Sequence, residues 1–386
     1  MRQHSPSDER RRVAAAEAIA TAWGERGLRY AVVHGLEPYP AGLGRDLDVV
    51  MRRETVRPAV RLALALGREH GFDQALFRWS HWGLYQLALL DPAKSIALPI
   101  DLLCSTHVWR AKWVRLVDEP LLEGLVSGDG RVGPFVVSNE GRFLKSFIRP
   151  LLCGDFSRFG RGGEWGPPPS VPSRVDRRLL VDLLGPDRVA ALESDEGPDS
   201  LRPSLALPLQ RRWIRAHPAG ALRSLGDAAT GRLLRRTLDP AACLFVRATR
   251  SQRVPEAAQS LAAEAKRLFI EVRTAASPRR PLARALAELT AWRSPPISEF
   301  VVSVVVDEQP PGVGRRRPAR PGWLPTGYLD LPEEIAAGEV RRELRARVLR
   351  LLTETYSPDD FVAEPGQRPR VSCEPARSAV NGRSRS

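Results

Sequence analysis

The sequence predicts an α+β protein, with an N-terminal mixed sheet and flanking helices followed by a second domain that is mainly helical or α/β. Three observations carry this prediction. Short β-branched runs alternate with helix-forming segments through residue 157. Glycine and proline then crowd the stretch GRGGEWGPPPSVP from Gly160, where neither a helical nor a strand core is sustainable. Beyond it, apolar residues recur mostly at helical spacing. The expected organisation is a first domain over 1–157, a linker over 158–175, a second domain over 176–363 and a disordered Arg/Ser/Pro-rich tail over 364–386.

In chain order, VAAAEAIATAWGER (13–26) is built of good helix formers and stops at Gly27. RYAVVHG follows as a buried strand ending at Gly35, and LEPYPAGLGR is a loop. DLDVVM resumes with strict alternation, so Leu47 and Val49 are expected on one face, Asp46 and Asp48 on the other. Residues 54–70 read as a helix on Val56, Val60 and Leu64. FDQALFRWSH, WGLYQLALLD and SIALPIDLLC are three successive strands. PFVVSNEGRFLKSFIRPLLCGD predicts a short strand, an N-cap at Ser138 and an amphipathic helix on Phe143, Phe147, Ile148 and Leu151. Over 174–300 the pattern is mainly helical, with β-like runs at ACLFVRAT and EFVVSVVVDE. PPGVGRRRPARPGW is a loop, and EEIAAGEVRRELRARVLRLLTETY a strong helix with Glu339/Arg342 and Glu343/Arg347 spaced for ion pairs.

Composition excludes several classes. At 386 residues and 43% apolar, the chain can bury a sizeable core, which argues against wholesale disorder. No apolar stretch is long enough for a membrane span, and the N-terminal basic segment leads into a helix broken by charge, so a cytoplasmic protein is expected. Cys104, Cys153, Cys243 and Cys373 form no CxxC pair and read as reduced, mostly buried thiols. The net charge of +14 invites a nucleic-acid partner, yet the basic residues are scattered among Asp and Glu with no stripe of interleaved aromatics. Lys94, Lys112, Lys145 and Lys266 are the only lysines, and the arginine bias reads as the coding bias of a GC-rich genome. Nucleic acid is therefore not the expected partner.

The carboxylates carry the chemistry. Asp46 and Asp48, two apart on a strand, would project from one face and repel each other unless a cation neutralises them. Magnesium suits such a pair, because it takes oxygen ligands and shares them with substrate phosphates. Asp101 stands alone inside the apolar run LPIDLL, where a charge needs a partner. Beside the first two it would complete a metal site, and two ions about 3.5–4 Å apart could activate a hydroxyl and stabilise leaving pyrophosphate. The competing reading is that DLD is the polar face of a half-exposed edge strand.

A strand ending in Gly35, a loop, the acid-hydrophobic-acid-hydrophobic run from Asp46 and a third acid at Asp101 together resemble the nucleotidyltransferase superfamily, the fold of DNA polymerase beta-like enzymes. The resemblance covers residues 28–103 and extends more weakly to 155; within the superfamily the chain is similar to uncharacterised bacterial nucleotidyltransferase-like proteins. It implies that Asp46 and Asp48 bind Mg2+ and the phosphates of a nucleoside triphosphate, while Asp101 assists the hydroxyl of a small-molecule or sugar acceptor. The sequence departs from the family at Leu36, where serine or glycine is usual, and a catalytically inactive nucleotide-binding or scaffold protein is the alternative.

Around these acids, His34 would contact phosphate or pack at the strand end, and Arg45 would pair with phosphate or with Asp46. Backbone N–H groups about Gly35 could approach a phosphate. Lys145 would reach substrate or be an ordinary helical lysine. Trp79, His81, Trp82 and Tyr85 read as strand packing and a turn rather than a base-stacking platform. The second half contains no GxxxxGK[ST] motif, but a strand, the loop ATRSQRVPE and an Ala-rich helix are laid out like a kinase start. It is read either as a degenerate P-loop-kinase-like module or as a helical accessory domain.

Overall fold

A computed structural model of the chain describes residues 5–79, 83–111, 114–149, 152, 181, 185–193, 206–216, 218–222, 225–226, 242–248, 254–268, 270–276, 300–308, 326–331 and 335–363. The expected linker and tail lie outside the described residues, as do Cys153, Cys373 and the 80–82 part of the Trp/His cluster.

The first helix, α1 (Pro6–Glu25), begins earlier than the Ala-rich run suggests. Ser5 caps it by accepting from the Asp8 N–H, and Pro6 occupies the first turn, where its missing donor is harmless. There follow β1 (Tyr30–His34), β2 (Leu47–Met51), α2 (Val56–Glu69), β3 (Gln74–Trp79), β4 (Leu84–Asp91) and β5 (Ile96–Leu103). This is the order of elements that the periodicity predicts. Asp46, however, lies in a bend one residue before β2 rather than in the strand. Next come the short β6 (Arg110–Ala111) and β7 (Val114–Arg115), α3 (Glu119–Ser127), β8 (Gly130–Val132), β9 (Phe135–Val137) and α4 (Asn139–Phe143). As expected, Ser138 caps α4, its Oγ accepting from the Gly141 N–H at 3.0 Å. The helix widens into a π-helical turn over Leu144–Ile148.

Seven strands form one mixed sheet in the order β3-β4-β5-β2-β1-β9-β8. β2 runs parallel to β5 and β1 to β9; the other neighbours are antiparallel. Because β2 lies between β5 and β1 and every residue of it is buried, Asp48 is not on an edge strand. The alternative of a half-exposed polar face fails. One side of the sheet, with Val49, Met51, Leu87, Leu89, Leu98 and Ile100, packs under α1 and α2. On the other side, Val33, Val50, Leu84 and Leu103 pack with Leu122, Leu125, Phe143 and Ile148.

In the second half, α5 (Pro186–Glu193) and α6 (Ala206–Ala216) precede a four-stranded sheet of β10 (Ala242–Ala248), β11 (Ile270–Ala276), β12 (Phe300–Glu308) and β13 (Thr326–Asp330). Its order is β11-β12-β10-β13, with all neighbours parallel. Helix α7 (Val254–Ala265) connects β10 to β11, and α8 (Ala337–Thr355) and α9 (Asp359–Val362) end the described chain. The two β-like runs expected here are β10 and β12. β11 went unread because its Ile270/Val272 alternation directly follows a helical run, and β13 because TGYLD lacks a β-branched apolar pattern. Among its described residues, the second half thus holds a parallel four-stranded sheet as well as helices.

The two sheets share a core. Leu76, Ala88, Leu90 and Ala97 of the first pack with Leu244, Val302, Val304 and residues of α7 and α8. The exposed edge of β3 is covered where the Phe77 N–H donates to the Tyr356 carbonyl at 2.7 Å. Phe361 then stacks on Phe77 at 4.5 Å. No helix among the described residues is long and apolar enough to cross a membrane.

Candidate functional site

Strand register sets the site. Asp48 pairs with Asp101 across the parallel β2–β5 ladder, so both side chains leave the same face. Asp101 pairs with Gln86, and Gln86 with Arg78. On the other side Asp48 pairs with His34. A polar row Arg78–Gln86–Asp101–Asp48–His34 therefore crosses five adjacent strands. It runs between two apolar zones of one sheet face: along β4, Leu84 lies in one, Gln86 in the row and Ala88 in the other.

His34 reaches this row through a β-bulge. Val32 pairs with Val49, but the register then slips, so His34 opposes Asp48 instead of Leu47. Without the slip, alternation would turn His34 to the α1/α2 side with Val32 and Leu47. Its Nδ1 lies 3.7 Å from Asp48 Oδ2 and its Nε2 4.0 Å from Glu37 Oε1.

Asp46 is brought in by the loop. Gly35 has φ +96°, and a Cβ there would lie 2.2 Å from the Asp46 carbonyl oxygen, so glycine permits the loop to close on the strand end. The Gly44 N–H donates to the Gly35 carbonyl at 2.8 Å. Helix α1 holds the same loop: buried Arg12 donates to the Gly44 carbonyl at 2.8 Å and to Glu9, and Glu9 accepts from the Leu43 N–H. One ligand atom each from His34, Asp46 and Asp48 falls within 4.8 Å of the others. Two of the expected trio, Asp46 and Asp48, are in this group, with His34 as its third member. Asp101 is adjacent and on the right face, but the atoms that converge are those of His34, Asp46 and Asp48. Asp101 Oδ1 accepts instead from Gln86 Nε2 at 3.0 Å.

That hydrogen-bond chain has a fixed direction. Arg78 can only donate, and its Nε meets Gln86 Oε1 at 2.6 Å, which turns the Gln86 amide nitrogen toward Asp101. Arg78, Gln86 and Asp101 are all buried. Burial pushes the Asp101 carboxyl up to about 7, helped by the charge of Asp46 and opposed by Gln86, Arg78 and Arg45. Arg45 itself is exposed and acts on the site through its charge.

Lys145 lies on the π-helical turn, and its Nζ contacts Asp48 Oδ2. An ordinary surface lysine is therefore excluded; this ammonium neutralises the most buried acid of the site. The Gly35 N–H, expected to be open to a phosphate, donates to Glu37 Oε2 at 3.0 Å. Leu36, the residue that departs from the family pattern, is buried in the core beneath α1. Compared with protein-family models, with curated proteins and with solved structures, the chain matches none.

Arg78, Gln86 and Glu37 were missed from sequence. Gln86 in LYQLALL and Arg78 in QALFRW carry the signal that drew Asp101, a single polar residue in an apolar strand. What sequence lacks is the pairing that aligns them. Tyr85 of the aromatic cluster packs on Phe77, and its hydroxyl accepts from Arg53, as a packing residue would. Of the cysteines, Cys104 is a free thiol whose burial pushes it up to about 12, and Cys243 lies on β10.

Proposed function

We propose that the chain is a divalent-cation-dependent nucleotidyltransferase-like enzyme, moving a nucleoside monophosphate from a nucleoside triphosphate to a hydroxyl of a small-molecule or sugar acceptor in the cytoplasm. The observation that carries this reading is the register of Asp48 beside Asp101, with Asp46 delivered to them by the loop from Gly35. The donor set suits a cation, because His34, Asp46 and Asp48 offer one nitrogen and two carboxylates at mutually short range. Such an ion, Mg2+ by the family resemblance, would draw triphosphate oxygens to Asp46 and Asp48 and offset their charge.

The remaining roles belong to the chain itself. Asp101, beside Asp48 on the same face of the sheet, is placed to accept the acceptor hydroxyl's proton. Gln86 holds its Oδ1, and Arg78 holds Gln86. As the acceptor oxygen bonds to the α-phosphorus, the bond to the β-phosphate oxygen breaks and pyrophosphate leaves. Lys145 leaves Asp48 for a phosphate oxygen, which keeps the local charge balanced, and Arg45 approaches the same group from solvent.

A second reading is favoured by two contacts. Lys145 already neutralises Asp48, and Glu37 already takes the Gly35 N–H, as expected of a binding or scaffold protein that retains the fold without the reaction. Calorimetry with Mg2+ or Mn2+ and each of the four nucleoside triphosphates separates the two. Metal-dependent binding by the wild type, lost in Asp46→Ala/Asp48→Ala, is the expected result. Absence of such binding from the wild type would overturn nucleotidyl transfer.

A further inference from the structure

We infer that His34 is a protein ligand of the bound cation through Nδ1, and that the site takes a first-row transition ion such as Mn2+ in preference to Mg2+. This rests on the metal-centred reading above and extends it to the identity of the ion and of its third ligand. Three features of the chain converge on His34.

The first is the bulge. A regular antiparallel register would direct His34 to the apolar side under α1, and the extra residue in β1 turns it to Asp48. Bulges occur next to functional sites, where they re-aim a side chain at the cost of a regular ladder. The second is distance: an imidazole nitrogen and one oxygen each of Asp46 and Asp48 lie within 4.8 Å of one another, as donors around a single ion do. The third is the group behind the ring. Metal-bound imidazoles commonly direct their other nitrogen to a carboxylate, which fixes tautomer and orientation. Glu37 stands on that side of the ring, its Oε2 held by the Gly35 N–H at 3.0 Å and its Oε1 4.0 Å from His34 Nε2, one side-chain adjustment short of a hydrogen bond.

The choice of ion follows from the donors. Mg2+ prefers all-oxygen octahedral surroundings and keeps much of its water. Imidazole favours first-row transition ions over Mg2+, and Mn2+, the weakest binder of that series, is also the one best suited to carboxylates. A site of one imidazole and two carboxylates therefore binds Mn2+ more tightly than Mg2+.

Pulsed electron paramagnetic resonance on the full-length protein loaded with Mn2+ tests this directly. The expected result is nitrogen modulation from one directly bound imidazole, altered by 15N-histidine labelling and absent in His34→Asn. Mn2+ affinity should fall by about tenfold or more in His34→Asn, and by about tenfold in Glu37→Gln with the nitrogen modulation retained. Circular dichroism confirms that both variants are folded, and the labelling arm needs no variant. Mn2+ bound without nitrogen modulation would overturn ligation by His34 while leaving a carboxylate centre and nucleotidyl transfer standing. Nitrogen modulation without nucleoside triphosphate binding would support the inference and overturn nucleotidyl transfer. No Mn2+ binding would overturn the inference, and nucleotidyl transfer would then stand or fall on the calorimetry with Mg2+ and nucleoside triphosphates.

Discussion

Across the seven-stranded sheet, five neighbouring strands each place a polar residue in one buried row, from Arg78 through Gln86, Asp101 and Asp48 to His34. In the four-stranded parallel sheet the buried side chains include Leu244, Val246, Ile270, Val302, Val304 and Val306, and Ser303 is the one buried polar residue among its described strand positions. The two layers share a core, so solvent exposure does not account for the difference. A buried charge is tolerated only with partners, and the first sheet supplies them by register and by Lys145. Among the side chains described, the second sheet contributes mostly apolar burial. The comparison teaches that the polar row is a local departure, held together by register and ion pairing, on a support that is otherwise ordinary core.

The largest effect that would sharpen this contrast is expected at Gly35. Gly35→Ala places a Cβ against the Asp46 backbone at positive φ, and should cost about 4 kcal/mol or prevent folding. Urea denaturation measures it, and a near-neutral result would show that the loop is not held where Asp46 requires. In the second sheet, Leu244→Ala should cost about 3 kcal/mol through a cavity while leaving Mn2+ affinity unchanged by calorimetry. A loss of metal binding in that variant would break the comparison, since the second layer would then shape the site.

The pH dependence of the metal-free protein is the next test. The folded chain holds the Asp101 proton up to about 7, against an ordinary 3.8, so the folded state binds more protons between those values. Stabilisation from this group is full below that window and is lost as pH rises through about 7. Relative to Asp101→Asn, the wild type should lose about 2 to 3 kcal/mol between pH 5 and pH 8 in urea titrations. Parallel curves for the two proteins would mean that Asp101 titrates as an exposed acid.

Gln86→Leu removes the link between Arg78 and Asp101 and should cost about 2 kcal/mol at neutral pH. An unchanged thermal midpoint would show that the row is not mutually supporting. The smallest effect has the opposite sign. Gly338→Ala lies in open space in α8 and should stabilise by about 0.5–1 kcal/mol, with no change at the site.

The sequence alone determined the element order of the first sheet and the Ser138 cap, and singled out Asp46, Asp48 and Asp101 as candidates, because each rests on short-range periodicity or on a charge out of place in an apolar strand. Only the tertiary structure decided that Asp46 precedes its strand, that His34 turns to Asp48, and that Gln86, Arg78 and Lys145 complete the surroundings. A bulge changes which face a residue meets without any sign in the local pattern, and Lys145 finds Asp48 only when the π-helical turn packs on the sheet. The same holds for β11 and β13, strands whose identity comes from parallel neighbours far away in the chain. Side-chain type is local information, but partnership between strands depends on how the whole chain buries its apolar surface.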